Sequence, residues 1–251
     1  MGSVGSTKND DGTSTFNRAN TRKFYDFKDN PALSDAGYLT KAKEWWREHS
    51  EYSNLSDWED NLTEAEEDAI HSWIGFGYDT ASKLYNIPWD DLSEGNKEFI
   101  SNLHSALNKF TLKKGITVNR RTNFKIFGSN KPMGVGQVID YIKNNTIDGY
   151  LQVDGHMSFS TRSNGVSVAG SGLVIHLDVP PNKGGGAYVS TIGGNAGEKE
   201  YLTNNNSILK FDPNSVERRA DGMIHVNARY VGRAEMQTID PKNKSKYKKS
   251  K

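Results

Sequence analysis

"LNKFTLKKGITVNRR", residues 107–121, is where the chain changes its period. Up to Phe110 the apolar residues recur every three or four positions. Phe99, Ile100, Leu103, Leu107 and Phe110 fall on one helical face of "SEGNKEFISNLHSALNKF". From Gly115 onward "GITVNRR" reads as a short apolar strand ending in Arg120 and Arg121. The same contrast extends both ways. Upstream, "YLTKAKEWWREH" and "NLTEAEEDAIHSWIGFGYDTASKLYN" have helical spacing. Thr63 with Glu66 three residues on makes a capping-box start, and Ala69, Ile70, Trp73 and Ile74 make an apolar stripe. Downstream, "FKIF", "MSFSTRS", "GLVIHLDV", "AYVST", "EKEYL", "SILKF" and "MIHVNARYV" are short runs separated by Gly, Asn, Ser and Pro. A helical block followed by many short strands predicts an α+β domain with a largely antiparallel sheet. We place that domain at 33–240, after a polar leader (1–32) and before a lysine-rich tail (241–251).

Composition excludes more than it selects. The 251 residues carry a net charge of +1, so no global field points to nucleic acid or a membrane. The tail "KNKSKYKKSK" holds six lysines and no acid, a solvated basic end. With no cysteine there are no disulfides, thiolate nucleophiles or Cys-based zinc sites. No apolar run approaches the roughly 20 residues of a membrane span, and no secretory signal is visible at the start. "GVGQVI" has Ile139 where a dinucleotide fingerprint needs its third glycine, and it reads instead as a helix start. There is no P-loop. The six histidines form no metal-ligand spacing, and "GSG" at 170–172 lacks the flanks of a nucleophile elbow, so no metal is expected.

Three features remain, in a fixed order. Arg120 and Arg121 end one strand, and arginine supplies a planar fork of donors for phosphate. Ser160 and Thr161 lie on a second strand, where a hydroxyl can hold a carboxylate in place. Glu198 and Glu200 follow a glycine-rich loop. In a strand, residues two apart point to one side, so both carboxylates share a face about 6–7 Å apart. Paired carboxylates can stabilise a developing cation and accept a proton.

Arginine, then a Ser-Thr-Ser-type strand, then Glu-x-Glu resembles the mono-ADP-ribosyltransferases of the R-S-E class. The chain is most similar to the bacterial exoenzymes related to the C3, iota and VIP2 toxins. "LTEAEEDAIHSWIGFGYDTASKLYN", "LNKFTLKKGITVNRR" and "LDVPPNKGGGAYVSTIGGNAGEKEYL" carry the resemblance over most of the domain. It implies an N-terminal helical layer on a two-sheet, mainly antiparallel β core with a cleft for NAD. It implies transfer of ADP-ribose from NAD to a protein side chain, with nicotinamide released. Arg120 matches the arginine that grips the NAD phosphates, and Arg121 is a second contact. Tyr78 matches a helical tyrosine near NAD. Ser160 matches the first serine of Ser-Thr-Ser, which helps order the catalytic glutamate, with Thr161 beside it. Glu200 matches the glutamate that stabilises the oxocarbenium-like state, and Glu198 the one that assists the acceptor. Lys183 is a candidate phosphate contact, and "NKGGG" (182–186) is expected to be flexible enough to fold over NAD.

The resemblance bears on the target as well. Relatives that modify asparagine carry glutamine at the first glutamate, so Glu198 favours an arginine acceptor, and actin is a family precedent. Gly194 and Asn195 occupy the target-recognition loop, where many members display an aromatic. Two further departures are Arg162 at the third Ser-Thr-Ser position and Asn119 where many relatives have an aromatic before the arginine. The implied setting is a secreted or delivered effector acting in a host cytosol, with a separate delivery component. The rival readings are an NAD glycohydrolase and a non-catalytic binding module of the same fold.

Overall fold

The computed structural model describes residues 49–77, 83–85, 87–153, 155–160, 166–167, 172–192 and 200–234. The expected leader and tail lie outside the described residues. Among them the helical block precedes the strands, as its period predicts. Helix α1 (Leu55–Asp60) buries Leu55 and Trp58. Helix α2 (Glu64–Ser72) begins at Thr63 with the expected capping box. Helix α3 (Glu94–Lys109) begins at Ser93, whose hydroxyl accepts from Asn96 N, and buries Ile100, Leu103, Ala106 and Leu107. The indole Nε1 of Trp58 donates to Ala106 O at 2.7 Å, and its ring meets Phe110 edge-on at 5.4 Å. Glu66 ties the layer together, because its carboxylate accepts from Ser105 Oγ (2.7 Å), Lys109 Nζ (2.6 Å) and Thr63 N (2.8 Å).

Among the described residues twelve strands follow: β1 (Thr111–Leu112), β2 (Ile116–Thr122), β3 (Tyr150–Val153), β4 (Met157–Ser160), β5 (Val166–Ser167), β6 (Leu173–Val179), β7 (Asn182–Lys183), β8 (Gly186–Tyr188), β9 (Glu200–Thr203), β10 (Ser207–Phe211), β11 (Glu217–Arg218) and β12 (Ile224–Arg233). Strands β1 and β7 form a small ribbon. The rest pair in the order β3-β10-β12-β6-β2-β4-β9-β8, with β11 on β12 and β5 on β2. Among the described strands only the β12–β6 and β2–β5 pairs are parallel. Among the described residues the β2–β4 junction has one register pair, Asn119 with Ser160. The hydrogen-bonded path is therefore continuous, yet it divides at that seam into two halves, β3-β10-β12-β6-β2 and β4-β9-β8.

Val118, Ile175, Leu177 and Val226 form one buried cluster with Leu103, Leu107 and Phe110, so helices and sheet share a core. Each such side chain contributes about 1.5–3 kcal/mol on burial. Helix α4 (Val135–Asn145) starts where "GVGQVI" predicts and buries Val138 and Ile142. The segment "FKIF" departs from expectation. It is a 3-10 turn, Phe124–Phe127, whose start is capped by the Asn123 side chain on Lys125 N. Phe124 and Phe127 are both buried, and a spacing of three suits a helical turn where a strand needs two. "AYVST" also splits, with β8 ending at Tyr188 and a 3-10 turn running Val189–Thr191.

Candidate active site

The seam between the two half-sheets gathers the polar residues that the sequence singles out. Arg120 is the next residue after Asn119 on β2. Its Nη1 donates to Ser158 O at 2.6 Å, so the guanidinium reaches across the seam to β4. Ser160 on β4 pairs directly with Glu200 on β9. Arg120 (7% exposed), Ser160 (2%) and Glu200 (5%) are all buried, so little water screens their charges.

The Glu200 carboxylate is held by groups that sequence reasoning missed. Ser158 Oγ donates to Glu200 Oε1, and Trp73 Nε1 donates to the same oxygen at 3.2 Å. Trp73 Nε1 also lies 3.3 Å from Ser158 Oγ. The backbone is fixed too, because Glu200 N donates to Ser190 Oγ at 2.6 Å. Ser158 thus joins both charged residues, taking Arg120 on its carbonyl and giving its hydroxyl proton to Glu200. The signal for Ser158 was in the sequence. It stands two residues before Ser160, and a strand puts residues two apart on one face. Nothing in the sequence marked Trp73, which reads as one member of an apolar stripe. It enters the site because α2 continues past Ser72 as a π turn, Trp73–Gly77. Such turns re-aim side chains and recur at functional sites.

Behind Trp73 lies an aromatic layer. The His156 ring sits 5.5 Å from both Trp73 and Tyr85. Burial pushes the Tyr85 phenol well up, so it keeps its proton and hydrogen-bonds His156 Nδ1. Burial first, and then the nearby His104 and Arg233, push His156 down to about 3. The imidazole is therefore neutral at any ordinary pH. Both donors on Glu200 Oε1 are neutral groups as well, and they orient the carboxylate without cancelling its charge.

The other expected residues divide. Arg121 donates from Nη2 to Met223 Sδ at 3.2 Å and acts electrostatically on Asp221, so its fork is aimed towards β12. Lys183 is exposed on the β1–β7 ribbon opposite Thr111. Tyr78, Thr161, Glu198, Gly194 and Asn195 lie outside the described residues. The expected mobility of 182–186 is corrected. Gly184, Gly185 and Gly186 are buried, and an added Cβ at each would come within 2.4 Å of Asn108 Oδ1, Asn182 Oδ1 and Leu202 O respectively. Close packing calls for glycine there. Among the described residues no group of three His, Cys, Asp or Glu side chains could hold a metal, and no helix is long and apolar enough to cross a membrane.

The sequence and the fold both resemble those of known proteins. Residues 44–238 match the sequence profile of the ADP-ribosyltransferase exoenzyme family. No curated protein matches the chain. Among solved structures, Plx2a, an ADP-ribosyltransferase toxin from Paenibacillus larvae, is 27% identical; the match covers 77% of this chain and 96% of that one, with a TM-score of 0.63. BECa, an ADP-ribosylating toxin of a C. perfringens binary enterotoxin solved with NADH, is 25% identical. That match covers 77% of this chain but only 48% of BECa, with a TM-score of 0.61. C3stau2 from S. aureus, solved with NAD, shares the fold at 18% identity, covering 71% of this chain and 94% of that one, with a TM-score of 0.56.

Proposed function

The chain belongs to the ADP-ribosyltransferase exoenzyme family, and from that premise we propose that it moves ADP-ribose from NAD to an arginine side chain of a target protein. The observation that carries this reading is the Glu200 carboxylate, buried at the seam and oriented by Ser158 and Trp73. The bond between the ribose C1′ and the nicotinamide nitrogen breaks with positive charge growing on the sugar. A fixed carboxylate lowers that barrier, as in glycoside hydrolysis. Nicotinamide leaves neutral with the bonding electrons, so no general acid is needed. Arg120 at the same seam fits the NAD pyrophosphate, since a buried guanidinium offers donors to an anion. Arg121, Tyr78, Thr161 and Lys183 remain candidate contacts.

The acceptor step needs a base. A guanidinium stays protonated, with pKa above about 12. In our reading Glu198 orients it and takes one N–H proton as the nitrogen bonds to C1′. Glu198 stands two residues before Glu200, and a strand would give both one face. Gly194 and Asn195 would meet the target, for which actin is a family precedent. Secretion or delivery into a host cell by a separate component completes the proposal.

The test is incubation of the purified chain with labelled NAD and a host-cell lysate, followed by mass spectrometry of any labelled band. An arginine adduct supports the reading and names the target. An adduct on asparagine refutes the arginine assignment. Nicotinamide release with no labelled band, even with actin added, favours a glycohydrolase. The absence of both signals overturns the transferase and favours a non-catalytic binding module of the same fold.

A further inference from the structure

Three rings stand in line behind the Glu200 carboxylate, and each packs on the next. Trp73 gives its Nε1–H to Glu200 Oε1 at 3.2 Å. The His156 ring lies 5.5 Å from the Trp73 ring, with the planes tilted by 58°. The Tyr85 ring lies 5.5 Å from His156 at 59°, and the Tyr85 hydroxyl is hydrogen-bonded to His156 Nδ1. Tilted pairs at these distances are a favoured aromatic geometry. The Tyr85 bond adds direction, because it fixes the imidazole plane whichever partner carries the hydrogen.

The far end of the line is anchored. Tyr85 follows Leu84, which is buried with Leu92 and with Ile100 of α3. Tyr85 packs against this small cluster and against the main core, so it joins the two. Gly155 makes room for its ring. An added Cβ there would lie 2.6 Å from Tyr85 Cδ2 and 3.1 Å from both Cγ and Cε2. His156 is the next residue, and β4 then carries Ser158, the other donor to Glu200 Oε1. The stretch from Gly155 to Ser158 therefore supplies the seat for Tyr85, the imidazole and the serine together.

The indole bond depends on this support. A hydrogen bond weakens steeply as it bends, and at 3.2 Å this one is at the long end of the usual range. The π turn Trp73–Gly77 sets where the indole starts, but the plane of the ring is set by what it packs on. That surface is His156. If the imidazole turned, the indole N–H would swing off Glu200, and the Tyr85 hydroxyl opposes that turn.

We propose that Tyr85 and His156 are positioning residues for the transfer reaction, clamping the Trp73 indole at the angle from which its N–H meets Glu200 Oε1. Neither touches the reacting atoms, and both act through Trp73. The kinetic readout rests on the transferase reading above, but the geometry of the clamp does not.

Tyr85→Phe in the full chain keeps the ring and removes the hydroxyl. Trp73→Phe removes the indole N–H. The assay is steady-state nicotinamide release from NAD, with a thermal melt of each single variant and of the double variant. We expect Trp73→Phe to lower kcat about tenfold and Tyr85→Phe about fivefold, each with KM within about threefold of wild type. The double variant stays within about twofold of Trp73→Phe alone, because Tyr85 then has no indole N–H to aim. A merely structural Tyr85 gives a different result. A Tyr85→Phe protein that loses Tm but keeps wild-type kcat overturns the proposal, and so does a double variant in which the two losses multiply. The 1H–15N signal of the Trp73 indole, assigned by its change in Glu200→Gln, gives an independent answer and serves where Trp73→Phe does not fold. It moves upfield in Tyr85→Phe as the bond to the carboxylate bends, and an unmoved signal overturns the clamp. If the wild-type chain releases no nicotinamide, the transferase reading fails, and the indole signal still decides whether Tyr85 holds Trp73 on Glu200.

Discussion

Ser158→Ala separates the residue the structure brings to Glu200 from the one the sequence motif points to. The substitution deletes the hydroxyl that donates to Glu200 Oε1 and leaves the Ser158 carbonyl, with its 2.6 Å bond from Arg120, in place. A hydrogen bond to a charged group contributes about 1.5–3 kcal/mol. If all of it serves to align the carboxylate, the loss is roughly 10- to 150-fold in rate, at about 1.4 kcal/mol per factor of ten. Trp73 Nε1 still donates to the same oxygen at 3.2 Å, which keeps the effect near the lower end. We expect kcat for nicotinamide release to fall about 10- to 50-fold while KM for NAD stays within about threefold, since the carboxylate acts mainly in the transition state. Ser158→Thr, which keeps a hydroxyl, recovers part of the loss. The assay is steady-state nicotinamide release, with a thermal melt of each variant. Unchanged kcat in a folded Ser158→Ala protein, or a change confined to KM, refutes the reasoning.

Glu200→Gln keeps the shape and removes the charge, so transfer falls by orders of magnitude while calorimetric NAD binding stays within about threefold. Glu198→Gln lowers arginine labelling more than NAD hydrolysis, and equal losses in the two assays would count against its role at the acceptor. Glu66→Gln loses charge-assisted bonds to Lys109 and Ser105, worth about 1.5 kcal/mol or roughly 3–6 °C in Tm at neutral pH. Burial opposes ionisation of Glu66, yet the bonds from Lys109, Ser105 and Thr63 hold its carboxyl below its ordinary value of 4.5. Its contribution is therefore present above that value and fades as pH falls through the folded value, so acid melts of variant and wild type converge. Gly185→Ala places a Cβ 2.4 Å from Asn182 Oδ1 and 2.7 Å from the Tyr230 ring, costing about 1–3 kcal/mol; a Tm equal to wild type contradicts the packed-loop account.

Local patterns carried much of the fold. The capping box at Thr63 and Glu66, the apolar face of α3 and the short strand run of Ile116–Thr122 each depend on neighbours a few residues apart, and all three formed as read. "FKIF" failed because four residues cannot separate a strand from a turn of spacing three. "NKGGG" failed because glycine serves mobility and close approach equally well, and only the packing partners distinguish them.

The candidate site shows the same division. Arg120, Ser160 and Glu200 were legible because each sits in a strand whose residue order gives its place. That Ser158 donates to the glutamate was not, since both serines share a face and only the register and side-chain reach of β4 against β9 choose between them. Trp73 is 127 residues from Glu200 and enters the site through a π turn, whose extra residue per turn has no mark in an apolar stripe. His176 and His225 have no ligand spacing in the sequence, and their rings stack because β6 and β12 lie side by side. By itself the sequence determined which residues form each element, through interactions short along the chain. The tertiary structure alone decided which elements meet, because strand order and register depend on contacts between distant segments, and at the seam those contacts turn separate residues into one site.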